Sequence, residues 1–344
     1  MFAFALWDKK KQLLLLGRDH VGIKPLYYTE INGKLLFGSE LKAILQYKEI
    51  SRQINISALD LYLTYSYVPA PLTIFEKIYK LLPGHFLVWQ NGGIKIEKYW
   101  DLEIQISEIE HKKHDEKFYI EELQKLLKET IQSHLISDVP LGAFLSGGLD
   151  SSAIVAYMSK VTSQSVKTFT IGYGQKDESF NELKKAKIVA HHFGCEHNEY
   201  ILEPNISDIL PELVKHFDEP FADSSALPTY LVSRVSKENV TVALTGIGGD
   251  ELFGGYPRYL GAKVSTIYEK IPISVRRMIA KASSILPETG VSRDWLGRGK
   301  RFLLTGTQSL QEQYKRWVSY INSEFKNKFY TPVFSEKLLK QNKQ

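Results

Sequence analysis

A repeated alternation of apolar strands with amphipathic helices, starting near residue 116, constrains the fold of this chain more than any other feature of its sequence. Helical segments separate short apolar runs such as "VPLGAFL", "VKTFTIGY" and "VTVALT". This order predicts a parallel sheet with helices on both faces, because two parallel strands need a crossover connection, which is usually a helix. The runs "LGAFL" and "VTVALT" are apolar throughout, which predicts that both strands are buried on both faces.

The N-terminal part of the chain has a different, strand-rich pattern. Its apolar segments are separated by turn signals such as Asn32-Gly33 and Asn91-Gly92, which favour tight hairpin turns. The charged, poorly patterned stretch "EIEHKKHDEK" that follows is typical of a linker. We therefore predict an α/β protein with two domains, at residues 1–105 and 116–344.

Several N-terminal side chains invite a functional interpretation, but a structural one is preferred. We expect Phe2, Phe4 and Trp7 to lie in the core rather than form a ligand platform. Arg18 and Asp19 are expected to form a structural ion pair. The chain also starts inside an apolar strand, as though part of a domain were absent, so we expect an exposed sheet edge that promotes aggregation.

The composition narrows the class of protein without identifying it. The net charge of +5 comes from 44 basic and 39 acidic side chains spread along 344 residues, a balance that does not favour nucleic-acid binding. No apolar run approaches the ~20 residues of a membrane span. The single cysteine, Cys195, excludes an intramolecular disulfide and favours a cytoplasmic setting. We expect it to pack as a small buried hydrophobe.

The segment "FLSGGLDSSA" follows one of the predicted parallel strands and precedes a helix. Glycines at such a strand end allow close approach of a ligand, and the first N–H groups of the helix favour an anion such as phosphate. A carboxylate among these donors indicates a divalent cation that accompanies the phosphates. The Walker A ending is absent, since no lysine follows the glycines. The alternative is a serine cap with a glycine turn.

A second loop, "LTGIGGDELFGGY", also follows an apolar strand and also carries glycines and an aspartate, Asp250. Two such loops at neighbouring strand ends could hold one Mg²⁺ between Asp150 and Asp250. The alternative is that Asp250 and Glu251 only cap a short helix.

Three histidines close in sequence, His191, His192 and His197, could suggest a metal cluster. Adjacent positions on a helix point in different directions, so we predict surface histidines instead.

The two glycine loops carry a resemblance to a known family. "FLSGGLDSS" resembles the pyrophosphate loop of N-type ATP pyrophosphatases, and "LTGIGGDELFGGYPRY" narrows the resemblance to glutamine-dependent asparagine synthetases. "DEPFADSSALPTYLVSR" is similar to their synthetase domain, and "GRDHVGIKPLYY" and "FGSELKAIL" are similar to the second half of their glutaminase domain. The resemblance implies an α+β remnant of an Ntn-type glutaminase domain, followed by a doubly wound, parallel-sheet domain of the ATP pyrophosphatase type.

The resemblance also implies a reaction and its cofactors. In this family ATP and Mg²⁺ activate aspartate as β-aspartyl-AMP with release of pyrophosphate, and ammonia then displaces AMP to form asparagine. Glutamine hydrolysis at an N-terminal cysteine supplies the ammonia through an internal tunnel. The expected partners are therefore these small molecules, with neither nucleic acid nor membrane, and a homodimer is possible.

Site residues follow from the family's motifs, position by position. Asp150 and Asp250 match the metal ligands. The positions that match ATP and pyrophosphate contacts are Leu145, Ser146, Gly147, Gly148, Asp150, Ser151, Ser152, Ile171, Thr245 and Gly246.

Ile247 departs from the family pattern, which has Glu or Asp at this position as an acid that assists adenylation and handles the proton of ammonia. Isoleucine can do neither, and loss of such assistance typically costs about 10²–10⁴-fold in rate. Substitution by a neighbour such as Glu251 is the less favoured alternative. The nucleophilic cysteine precedes the segment at which this sequence starts, Cys195 cannot replace it, and the family's last helices follow Gln344, so we expect a chain truncated at both ends.

Three functions stay open on the sequence. The first is glutamine-dependent asparagine synthesis. The second is a catalytically silent fragment that binds nucleotide, which Ile247 and the missing ends favour. The third is a related amidotransferase or cyclase that adenylates another carboxylate.

Overall fold

The computed structural model describes residues 1–102, 114–174, 181–203, 205–285 and 295–341. The strands, in chain order, are Ala3–Asp8 (β1), Leu13–Arg18 (β2), Tyr27–Ile31 (β3), Lys34–Gly38 (β4), Tyr79–Lys80 (β5), His85–Gln90 (β6), Gly93–Lys98 (β7), Leu141–Phe144 (β8), Lys167–Tyr173 (β9), Glu196–Leu202 (β10) and Val242–Leu244 (β11). The helices are Leu41–Ile44 (α1), Ile56–Tyr65 (α2), Glu116–His134 (α3), Leu149–Val161 (α4), Leu183–His192 (α5), Ile206–Phe217 (α6), Ala226–Ser236 (α7), Gly249–Phe253 (α8), Pro257–Tyr268 (α9), Ile273–Ser283 (α10), Trp295–Thr305 (α11), Leu310–Val318 (α12), Ser323–Phe329 (α13) and Pro332–Gln341 (α14).

The chain forms two compact units. The first consists of Met1–Ile106, Ile206–Asp223 and Ser319–Gln344, and the second of Ser107–Asn205 and Ser224–Val318. Each unit combines segments that are far apart in the sequence, so these units are not the same as sequence domains. The domains 1–105 and 116–344 therefore stay a prediction.

Two antiparallel sheets form the core of the first unit. One has the order β1-β2-β6-β7 and the other β4-β3-β5. A buried cluster draws on both sheets and contains Leu16, Leu26, Tyr28, Leu81 and Leu87. The predicted tight turns are confirmed, since Asn32, Gly33, Asn91 and Gly92 all have positive φ, as a type I′ hairpin turn requires.

Strand β1 is confirmed, but the side chains expected in the core are not buried there. Phe4 and Trp7 are 43% and 44% exposed, and Phe2 is partly exposed. Ala3 packs against the core cluster, so the alternation of a strand turns Phe4 to the other face of an edge strand. The ring of Phe4 lies over Gly17 of β2, where a Cβ would be 2.5 Å from Cε1.

The predicted ion pair between Arg18 and Asp19 is also wrong. The Arg18 guanidinium instead donates to the carbonyl oxygens of Gly22, Lys24 and Leu81 at 2.5 to 2.9 Å. The Asp19 carboxylate accepts from backbone N–H groups, including that of Lys24 at 2.9 Å. Both side chains therefore form hydrogen bonds with backbone groups, and both stabilise the turn at residues 22–24.

Two segments from late in the chain complete the first unit. After α6, the Asp218 carboxylate accepts from Lys42 N at 3.0 Å, and Glu219 forms an ion pair with Lys80. In α13, Lys326 Nζ lies 2.7 Å from Asp60 Oδ1 of α2. These side chains attach both segments to the N-terminal strands and helices by ion pairs and hydrogen bonds.

The second unit is built on a parallel sheet with the order β10-β9-β8-β11. Side chains from α3, α4 and α5 cover one face, in a cluster that includes Ile131, Val155 and Ala186. Val232 of α7 packs with Phe169 on the other face. The predicted α/β class with a doubly wound parallel sheet is therefore confirmed.

The burial predicted for "VTVALT" is wrong. Its strand, β11, lies at the edge of the sheet, and Val242 is 41% exposed. The strand "LGAFL" behaves as predicted, since Gly142 and Ala143 of β8 are buried in the middle of the sheet. Across the part of the chain that the structure describes, none of the helices is long and apolar enough to cross a membrane.

Candidate functional site

The first glycine loop joins β8 to α4 and is held by its own serines. Ser146 Oγ lies 2.9 Å from Ser151 Oγ and accepts a hydrogen bond from Gly148 N at 3.2 Å. Gly147 has a φ of +73°, and a Cβ there would lie 2.7 Å from Ala186 N of α5. This position therefore excludes a side chain both by its backbone conformation and by its close contact with α5.

Helix α4 begins at the loop without a side-chain cap. Its N-cap is Gly148, so backbone N–H groups of the first turn have no capping partner from that residue. Asp150 lies in this first turn and is partly exposed, and Ser152 is partly buried next to it. Ser151 is buried and its hydroxyl donates to Gly148 O at 3.3 Å, so Ser146, Ser152 and the helix N–H groups are the donors near the start of α4, which also carries Asp150.

The second glycine loop meets the first because β11 and β8 are parallel neighbours. A Cβ at Gly246 would lie 2.7 Å from Ser151 N, and one at Gly249 would lie 2.6 Å from Asp150 Oδ2. The Asp150 carboxylate therefore packs on the backbone of the residue just before Asp250. Asp250 itself is exposed, and its carboxylate contacts Gly255.

The predicted site residues fall into two groups. The serines and glycines of the first loop, both aspartates, Thr245 and Gly246 lie on the two touching loops. The side chains of Leu145 and Ile171 instead pack into the clusters on opposite faces of the sheet. The Leu145 backbone is also engaged, since its N–H donates to Phe169 O at 3.0 Å and its carbonyl oxygen accepts from the Thr170 hydroxyl at 2.5 Å.

Ile247 lies at the tip of the second loop and is 82% exposed. Its N–H donates to Thr245 Oγ1 at 3.3 Å, which stabilises the turn. An apolar side chain at this exposed place contributes little to the core. The position is open to a larger or charged side chain without a packing penalty.

Glu251, the neighbour considered as a replacement acid, is engaged elsewhere. Its Oε1 accepts a hydrogen bond from the Tyr256 hydroxyl at 2.6 Å. This bond lowers the pKa of Glu251 and raises the pKa of Tyr256 to about 12. A carboxylate with a lowered pKa is a poor proton carrier near neutral pH.

Tyr256 and Arg258 were not singled out from the sequence, although both border the second loop. The Arg258 guanidinium stacks on the Tyr256 ring at 4.0 Å from its centroid. The aromatic and basic residues that directly follow the glycines in "GGYPRY" could have indicated that these side chains border the site.

The histidine prediction holds at two of three positions. His191 and His192 are exposed, whereas the His197 side chain is only 10% exposed. Its Nδ1 lies 2.8 Å from Thr168 Oγ1. The described residues contain no group of three or more His, Cys, Asp or Glu side chains that could hold a metal ion.

Cys195 directly precedes β10 and is partly buried against the α4 and α5 cluster. Burial raises the pKa of its thiol. A thiol in this setting is a packing group and a poor nucleophile.

The fold and the site first define a class: an α/β protein in which glycine loops follow two neighbouring parallel strands, the end of the sheet where such folds bind ligands. Residues 122–341 match the family model described as asparagine synthase, and residues 1–100 match that of a glutamine amidotransferase domain.

Curated relatives extend both matches along the chain. An asparagine synthetase [glutamine-hydrolyzing] 1 of Bacillus subtilis is 37% identical over 91% of this chain and 48% of its own length. A putative asparagine synthetase [glutamine-hydrolyzing] 2 of Methanocaldococcus jannaschii is 38% identical over 88% of this chain and 57% of its own. The chain belongs to the asparagine synthase family. It spans about half the length of the curated relatives it matches.

Proposed function

We propose that this chain binds ATP at the two glycine loops and uses it to form asparagine from aspartate, with ammonia or glutamine as the nitrogen source. The observation that carries the proposal is the contact between the Asp150 carboxylate and Gly249, which brings two aspartate-bearing loops together. The names of the matched relatives, asparagine synthetase [glutamine-hydrolyzing], support the choice of substrates.

Mg²⁺ is the metal that we propose for this site. Mg²⁺ in nucleotide sites is usually bound by one or two carboxylates, and substrate phosphates complete its coordination. Asp150 and Asp250 fit that pattern, since within the described ranges no third His, Cys, Asp or Glu side chain joins them in a metal-binding group. When bound, the ion would neutralise charge that develops on the pyrophosphate.

The loop residues would act by binding and electrostatic stabilisation. Ser146 and Ser152 would offer hydroxyls, the buried Ser151 would hold Ser146 in place through its own hydroxyl, and the first turn of α4 presents N–H groups whose dipoles favour an anion. Donors held in place by the loop's own hydrogen bonds stabilise the leaving pyrophosphate without reorganising. Leu145, Ile171, Thr245 and Gly246 would border the adenosine at the ends of their strands.

The match of residues 1–100 to a glutamine amidotransferase domain supports glutamine as the nitrogen source of the whole protein. The domains at 1–105 and 116–344, a cytoplasmic location and a homodimer are further predictions that accompany this function.

The experiment is ATP–pyrophosphate exchange with Mg²⁺, compared with and without aspartate. Exchange that needs aspartate supports the proposal. Exchange only with another carboxylic acid would replace aspartate as the substrate, and nucleotide binding without exchange would identify a catalytically silent protein.

Replacing Ile247 by Glu should increase the exchange rate by about 10²-fold, because the variant regains an acid at a position where general acid–base assistance is worth about 10²–10⁴-fold. Ile247→Gln is the matched control, since it adds a polar side chain of similar size that cannot titrate. Equal rates for the two variants would contradict the role assigned to this position.

A further inference from the structure

Arg258 lies in the first turn of α9 and has an unusual environment for an arginine. Its Nε is buried and has no hydrogen-bond partner. The guanidinium stacks on Tyr256, 4.0 Å from the ring centroid, and lies 5.9 Å from that of Tyr259. Among the residues that the structure describes, no carboxylate lies within the 4.0 Å of an ion pair with it.

The Tyr256 ring and the charge of Glu251 stabilise the guanidinium within the fold, but neither supplies a hydrogen-bond partner for the buried Nε. A buried donor without a partner is costly, and native proteins rarely keep one without a reason. A cation in the first turn of a helix also faces the positive end of the helix dipole. Substituting a neutral side chain would remove both costs, so the charge points to a partner that is not part of the fold.

The neighbours of Arg258 are rigid and border the second glycine loop. The Tyr256 ring beneath the guanidinium is held by its hydrogen bond to Glu251. Gly255, next to Tyr256 in the chain, contacts the Asp250 carboxylate. Stacking on an aromatic face leaves the edge of a guanidinium free to donate two parallel hydrogen bonds. The guanidinium is therefore held over a ring that follows directly after the Gly255 contact with Asp250.

We propose that Arg258 binds an oxyanion of a substrate held at the two glycine loops. A phosphate oxygen of the nucleotide and a carboxylate of the amino acid offer the same chemistry, and planar bidentate recognition by arginine suits both. The proposal rests on the proposed function. It adds a substrate-binding residue outside the first loop and predicts a requirement for the guanidinium shape, not only for positive charge.

The test measures three constants in the full chain, for wild type, Arg258→Gln and Arg258→Lys. Calorimetry gives the Kd for MgATP and for magnesium pyrophosphate, and the exchange assay gives the KM for aspartate. A hydrogen-bonded charge pair corresponds to about 10- to 100-fold in affinity, so Arg258→Gln should weaken one of these constants by that factor. Arg258→Lys should recover only part of the loss.

Arg234→Gln is the matched control, because Arg234 of α7 also stacks on a tyrosine, at 5.8 Å from the Tyr230 centroid. Its affinities should equal those of wild type. A rise in the nucleotide and pyrophosphate constants assigns the oxyanion to phosphate, and a rise in the aspartate constant assigns it to the carboxylate.

The failures of the two proposals are distinguishable. If folded Arg258 variants keep all three constants within twofold of wild type while wild type binds MgATP, the role of Arg258 is overturned and the proposed function stands. If Arg258→Gln does not fold, Arg258→Lys decides. A wild-type chain that binds no MgATP overturns both proposals.

Discussion

At the scale of single residues, the site depends on the absence of a side chain as much as on the side chains present. The Asp150 carboxylate lies where a Cβ of residue 249 would be, with Oδ1 only 2.8 Å from that point. Any residue larger than glycine would displace either the carboxylate or the second loop. The close packing of the Asp150 carboxylate on Gly249 therefore fixes the position of one loop relative to the other.

Gly249→Ala tests this link. The added methyl group should push Asp150 aside and weaken MgATP binding by about 10-fold or more, since displacements near 1 Å can cost about 10²-fold in function. Overpacking should also lower the free energy of unfolding by about 1–3 kcal/mol. Calorimetry and thermal unfolding measure the two effects.

Gly299→Ala is the control for that substitution. Gly299 lies in α11 and no other group is within 4 Å of its Cβ position. Alanine there should leave binding unchanged and stabilise the helix by up to about 1 kcal/mol. Unchanged MgATP binding in Gly249→Ala would contradict the close contact between the loops.

His197 predicts a pH dependence of stability. Burial lowers its pKa below 6.5, more than nearby Glu199 can raise it, and Lys187 lowers it further. The folded protein then binds the proton more weakly than the unfolded chain, so the free energy of unfolding should fall as the pH drops below about 6.5. Melting temperatures at pH 7.5 and 5.5 measure this fall. His197→Gln should reduce the difference, whereas His192→Gln, at an exposed position, should keep it.

The sequence predicts the chemistry of the loops better than it predicts the direction of single side chains. Ser146, Asp150 and Asp250 could be placed on loops at strand ends because each motif directly follows an apolar run, which is a local pattern. The inward turn of Leu145 and Ile171 could not, because alternate residues of a strand face opposite sides and a one-residue difference reverses the assignment. Arg258 was missed because its stacking on Tyr256 is a contact of the folded chain.

At the scale of helices and strands, two acidic residues attach the segment after α6 to the first unit. Asp218 accepts from the N-terminal turn of α1, at Lys42 N, and also pairs with the Lys42 side chain at 3.3 Å. Glu219 pairs with Lys80, and the two side chains are 11% and 13% exposed. Burial raises the pKa of Glu219, and the charge of Lys80 opposes that rise. The attachment of this segment to the first unit therefore depends on the buried ion pair between Glu219 and Lys80.

Glu219→Gln should destabilise the first unit by about 3–5 kcal/mol, because it leaves the charge of Lys80 buried without a carboxylate. Asp101→Asn is the control, since it breaks an ion pair with Lys98 whose side chains are 54% and 63% exposed. Exposed pairs contribute little, so this control should unfold like wild type. Equal urea midpoints for both variants would show that the Glu219 pair does not hold the segment.

At the scale of the whole molecule, the chain order of strands and helices could be predicted and their long-range partners could not. The alternation after residue 116 predicts the parallel sheet, since short apolar runs and amphipathic helices are local patterns. The edge position of β11 depends on strand order, which no local pattern encodes. The packing of Glu219 and Lys326 against Lys80 and Asp60 joins residues far apart in the sequence, so it could not be read from spacing.

The motifs shared with the asparagine synthase family also depend on the fold to come together. The motifs of the two loops are short, but their strands are neighbours in the sheet, and only the fold brings Asp150 against the second loop. The proposed nucleotide site thus depends on the topology of the second unit as much as on the residues of each motif.

Calorimetry of ATP binding with Mg²⁺, for wild type and for Asp150→Asn, is the measurement that decides whether the two loops form this nucleotide site. Wild type should bind MgATP, and binding should weaken by at least about 10-fold when Asp150 is replaced or Mg²⁺ is withheld. The absence of binding by the folded wild-type chain, or equal affinity in Asp150→Asn, would contradict a shared magnesium nucleotide site at the two glycine loops.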